Sequence, residues 1–202
     1  MKKINLKTRS GYTIIETMIA VSVFLVVVTI GMGALLNANL LHQKSGDMRS
    51  IMDNLSFIME DISRNLRTGY NYYCITGSDT LSNVSTPKSG QNCWGIAFEP
   101  ATGASSDPND QWVYYIDNTG KIFKSIKGPY VSSAFIQLTP DEVSIDMTAS
   151  GFSILGAEPP KPPTNDQQQP FVTIKLVGTI TSKNVVTPFS LQTSVSQRAI
   201  DI

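Results

Sequence analysis

Apolar side chains along this chain follow three different spacings in turn. From Thr17 to Gln43 no formally charged side chain occurs, and "TMIAVSVFLVVVTIGMGALLNANLL" is apolar with no preferred face. The run is about 27 residues, or ~40 Å of helix, against a hydrocarbon core of about 30 Å. The pattern predicts a membrane-spanning half-helix over 12–43. From 44 to 69 the spacing changes. Met48, Ile51, Met52, Leu55, Ile58, Met59, Ile62 and Leu66 recur at three- and four-residue steps, and Asp53, Glu60, Asp61 and Arg64 fall mostly on the other side. That is the period of an amphipathic helix, expected to pack on the chain's own sheet. Arg64 and Arg67 suit its C-terminus, and Gly69 fits the residue just past it.

Beyond Gly69 the signals turn to strands. "QWVYYIDNTGKIFKSI" alternates and turns at Asp117-Asn118-Thr119-Gly120, a hairpin with glycine available for positive φ. "SAFIQLT" and "EVSIDMTASGFSIL" are further short strand candidates. "FVTIKLVGTI" and "VVTPFSLQTSVSQR" form a second long hairpin around Ser182-Lys183-Asn184, with Pro188 marking an edge or a bulge. The stretch 158–170, "EPPKPPTNDQQQP", is an exposed loop. The fold class is α+β: a long N-terminal α-helix packed on an antiparallel β-sheet domain over 70–202.

Charge sets the topology. Residues 1–11, "MKKINLKTRSG", carry Lys2, Lys3, Lys7 and Arg9 and no acid. A basic flank keeps the N-terminus in the cytoplasm, so 70–202 is expected to be extracytoplasmic in a single-pass membrane protein. A removed secretory signal has an apolar region of only about 7–15 residues and a small-x-small site; this run is longer, and Gly31-Met32-Gly33 matches such a site poorly. Lys plus Arg equals Asp plus Glu, 16 each, which argues against a nucleic-acid partner.

Glu16 breaks the apolar pattern. An acid at the centre of a membrane helix costs on the order of 2.5–3.5 kcal/mol on insertion scales. One reading keeps Glu16 hydrated at headgroup level. The other uses Gly11-Tyr12: a cut between them creates a cationic amine on Tyr12. Glu16 then lies one turn in, near the positive helix end, and its carboxylate can pair with its own or a neighbouring copy's amine.

A short basic leader, Gly11, the aromatic Tyr12 and then "TIIETMIAVSVFLVVV", with glutamate fifth after the junction, resembles the type IV pilin and pseudopilin superfamily. The likeness covers roughly residues 1–40. It implies a leader over 1–11, cleavage after Gly11 by a membrane prepilin peptidase, N-methylation of Tyr12, and Glu16 as the assembly acid. Tyr12 stands where phenylalanine is commonest, and Gly31 and Gly33 lie where many pilins bend at a proline. The soluble half resembles minor pilins and pseudopilins through "NLSFIMEDISRNLR" and "LQTSVSQR". The function implied is structural: a subunit, minor rather than major, of a type IV pilus or type II secretion pseudopilus. The partners implied are other pilin or pseudopilin subunits, the prepilin peptidase, the inner-membrane assembly platform, and membrane lipid before assembly. The alternative is a single-span anchored binding module that never assembles.

No catalytic set emerges, and the chain is not expected to be an enzyme or to need a cofactor. His42 has no second histidine with which to build a metal site. Asp107, Asp110 and Asp117 lack the spacing of a calcium loop and read as solvated turns. Cys74 and Cys93 lie outside the membrane on this topology, where disulfides persist. Pairing is expected, the alternative being two separate buried thiols; the polar stretch between them reads as a surface loop.

Overall fold

The computed structural model describes residues 11–77, 79, 84, 86–129, 134–159, 168–182 and 185–198. They divide into two units, one up to Gly46 and one from Asp47 onward. A single 55-residue helix, α1 (Ile14–Thr68), supplies the whole helical content of the first unit and the start of the second. It runs unbroken through Gly31 and Gly33. It contains a stretch long and apolar enough to cross a membrane.

The second unit is an α+β fold, as the periodicities predict. Ile51, Leu55, Ile58, Met59, Ile62 and Leu66 are buried, while Asp53, Glu60 and Arg64 face out. Each fully buried aliphatic side chain contributes about 1.5–3 kcal/mol of gross transfer free energy, so this stripe is what docks the helix. It meets the inner faces of two antiparallel sheets. The first has strand order β1 (Tyr70–Ile75), β3 (Gly95–Glu99), β4 (Trp112–Ile116), β5 (Ile122–Ser125), β6 (Ile136–Gln137). The second has order β10 (Val185–Ser196), β9 (Phe171–Ser182), β8 (Gly151–Leu155), β2 (Gly90–Cys93). A short strand, β7 (Val143–Ile145), also pairs with β9. Tyr72, Phe98, Tyr114, Phe152, Ile174 and Leu176 fill the space under the helix.

The β4–β5 hairpin forms where the sequence predicts it. Asp117 Oδ1 accepts the Thr119 and Lys121 amides, and Gly120 takes φ 74°. The second hairpin pairs Ser182 with Val185; its turn residues 183 and 184 lie outside the described set. Pro188 does sit on an edge strand. Val177 of β9 directs its carbonyl to Asp146 and its amide to Ser150, away from β10. Alternate residues therefore face β10, and Pro188, paired with Thr179, presents its missing N–H to the free edge.

Two details refine these expectations. "EVSIDMTASGFSIL" is two strands, β7 and β8, split by a turn in which Ser150 Oγ bonds both the amide and the carbonyl of Val177. Gly69 is the residue just past α1, where the sequence places it, but without the positive φ of a left-handed cap. It is glycine because a Cβ would collide with the Phe98 ring. The hydroxyl of Tyr72 caps the helix instead, donating to the carbonyls of Leu66 and Gly69. Asn71 then takes φ 54° at a bulge in β1, a conformation asparagine tolerates better than most residues.

Candidate functional site

Gly11, Tyr12 and Glu16 belong to the first unit. Residues 11–13 are not helical, and Gly11 and Tyr12 are exposed. Thr13 is the N-cap: its carbonyl accepts from the Glu16 amide (3.1 Å) and the Thr17 amide (3.2 Å), and its Oγ1 lies 3.4 Å from the Glu16 amide. "TIIE" is thus a capping-box sequence, of which only the threonine half is formed. The Glu16 carboxylate accepts no hydrogen bond and forms no ion pair among the described residues. Glu16 belongs to the first turn of the helix, whose positive end favours an anion. Around and beyond it, Ile15, Met18, Ile19, Phe24 and Val27 are each more than half exposed. An apolar surface on every side of a helix needs lipid or other helices to cover it.

Cys74 and Cys93 are joined, with Cα atoms 5.4 Å apart. Cys74 lies in β1 and Cys93 in β2, so the bridge ties one sheet to the other. Gly90 leaves room for it, since a Cβ there would strike Cys74 Sγ. The stretch between the cysteines is not all surface loop, because Gly90–Cys93 is a strand and Val84 is buried.

The aspartates weighed as metal ligands each serve their own turn. Asp107 accepts from the amide and side chain of Asn109 (both 3.0 Å), Asp110 from the Ala104 amide (2.8 Å), and Asp117 from Thr119 and Lys121. Among the described residues no three His, Cys, Asp or Glu side chains gather as a metal site. His42 is exposed on α1.

Two polar clusters escaped the sequence reading. Asp61 on α1 accepts from Lys124 Nζ (2.9 Å), Tyr114 Oη (3.0 Å) and Asn65 Nδ2 (3.0 Å). Lys124 Nζ also lies 4.7 Å from the centre of the Trp112 ring. Burial works against the Asp61 charge, but its hydrogen bonds from Lys124, Tyr114 and Asn65 and the Lys124 charge outweigh it and hold the carboxyl below its ordinary range. Burial is the chief cause that raises Tyr114, and the Asp61 charge adds to it. The second cluster is Glu99, Asp110 and Gln111, beside the loop that joins β3 to β4. Glu99 is 1% exposed. An acid on the alternation of the otherwise apolar "GIAFE" was the one signal for it.

Comparison with models of protein families, with curated proteins and with solved structures found no match to this chain.

Proposed function

We propose that the chain is a subunit of a type IV pilus or a type II secretion pseudopilus, minor rather than major, that is cut between Gly11 and Tyr12 and assembles through α1. The observation that carries this reading is the Glu16 carboxylate, unpartnered among the described residues, in the first turn of a helix whose first half is apolar and exposed, just after a short non-helical segment. A peptidase needs an extended, accessible bond, and Gly11-Tyr12 lies in that segment. Cleavage leaves an amine on Tyr12 one turn from Glu16. Methylation of that amine keeps its positive charge.

Before assembly, lipid covers the apolar helix and Glu16 stays at the hydrated surface. When helices of neighbouring subunits lie side by side, lipid is displaced and the carboxylate enters a region of low dielectric. It is then stable only with a cation beside it, and the neighbour's terminal amine supplies one. The pairing sets the axial register between subunits. The experiment is intact-mass analysis of membrane-extracted protein from cells with an active prepilin peptidase. The expected chain starts at methylated Tyr12, and Gly11→Val retains the leader because a branched side chain crowds the scissile bond. A wild-type chain still beginning at Met1 overturns the proposal in favour of a permanently anchored module.

A further inference from the structure

The loop between β3 and β4 is a chain of short turns. Gly103 N bonds Pro100 O (2.8 Å), Asp107 N bonds Ala104 O (2.8 Å), and Tyr70 Oη donates to Gly103 O (2.8 Å). Two carboxyl groups flank its middle. Asp110 Oδ2 accepts the Ala104 amide at 2.8 Å. Glu99 Oε2 lies so close under Gly103 that a Cβ there would come within 3.1 Å of it. Glu99 Oε1 is taken by Gln111 Nε2 at 2.8 Å. That leaves Glu99 Oε2 and Asp110 Oδ1 buried with no donor, and Gln111 Oε1 likewise.

Buried acceptor oxygens without donors are costly, and two carboxylates side by side also repel. A single proton relieves the repulsion and pairs the two carboxyl oxygens, because a protonated carboxyl becomes a donor to its neighbour. We propose that protonated Glu99 donates from its unpartnered oxygen to Asp110 Oδ1, and that this acid pair is a latch that holds the 100–110 loop most firmly in acid and loosens it as pH rises through neutrality. The titratable groups acting on the pair are Asp107 in the same loop and Tyr70 on β1, and Gln111 faces it from the start of β4. Burial first, then the charges of Asp110 and Asp107, push the Glu99 carboxyl up to about 7. Loss of the proton to water leaves two adjacent anions under the turn. The loop also walls a cleft of about 180 Å³, with Pro100 and Thr102 facing Asn65, Thr68, Phe98 and Trp112. Release of the latch frees that wall, so access to the cleft acquires a pH threshold. This inference does not depend on filament assembly.

The test uses the full-length protein in detergent micelles. The carboxyl carbon of Glu99 is followed by NMR, and exchange of the Ala104 amide is measured relative to its intrinsic rate. The expected result is a Glu99 inflection near neutrality and about a tenfold loss of Ala104 protection between about pH 6 and 8, the factor linkage gives for that shift. Glu99→Gln replaces the carboxyl proton by a permanent amide donor, so protection stays flat over the same range. Asp110→Asn offers a donor to ionised Glu99 and moves its inflection down. Glu99 titrating in the ordinary carboxylate range, with flat protection in the wild type, overturns the proposal. So does protection at alkaline pH that millimolar calcium restores and a chelator removes, for the oxygens would then hold a cation.

Discussion

Replacing Asp61 by alanine removes the polar tie between the helix and the first sheet. Three donors lose their acceptor: Lys124 Nζ, Tyr114 Oη and one bond of Asn65. Hydrogen bonds to a charged group contribute about 1.5–3 kcal/mol net. The Asp61 side chain is 44% exposed, so water takes its place in part and the lower half of that range applies. The Lys124 side chain is 19% exposed and keeps only its ring contacts with Trp112 and Tyr114. The expected loss is about 2 kcal/mol, or ~4–8 °C in Tm for a unit of this size. Asp61→Asn keeps an acceptor without the charge and costs about half as much. The assay is urea unfolding of the full chain in micelles, read by the fluorescence of Trp94 and Trp112. The sign with pH follows from a carboxyl held below its ordinary 3.8. The stabilisation is present above that value and is lost as pH falls through the lower folded value, so wild type and Asp61→Ala converge in acid. A double-mutant cycle with Lys124→Met isolates the pair and gives a coupling of about 1 kcal/mol. A coupling indistinguishable from zero, or a loss under about 0.5 kcal/mol for Asp61→Ala, refutes the reasoning.

Replacing Cys74 and Cys93 together by serine frees a loop with a sequence separation of 19. It costs about 3 kcal/mol in the chain-entropy model, read by the same unfolding assay; thiols that react fully in the unreduced native protein contradict the bridge. On the proposed function, Glu16→Leu is expected to insert, fold and be cleaved but to stay out of filaments, because an unpaired terminal amine in the filament core costs about 3–5 kcal/mol. Glu16→Asp, one methylene shorter, enters poorly but detectably. The sheared filament fraction beside the total membrane pool decides, and incorporation of Glu16→Leu at the wild-type level reduces Glu16 to a hydrated surface residue.

The sequence by itself determined the elements whose logic is local. The apolar run, the stripe from Met48 to Leu66, the Asp117–Gly120 turn and the edge position of Pro188 are legible because a helix or hairpin reports itself at separations of four residues or fewer. The segment proposed to be processed is local in the same sense, with Gly11, Tyr12 and Glu16 lying within two turns of chain. Tertiary structure decided the rest. Strands β1, β2 and β3 are only 6, 4 and 5 residues long and none alternates buried and exposed positions, so only their partners make them strands. Gly69 reads as a helix cap until Phe98 is seen to press on it. Asp61 meets Lys124, Cys74 meets Cys93 across two sheets, and Glu99 meets Asp110 under a turn, each a contact fixed by strand register and not by spacing along the chain. Burial is what gives such contacts their chemistry. An exposed glutamate beside an aspartate merely ionises, whereas one cut off from water must find a donor or keep a proton.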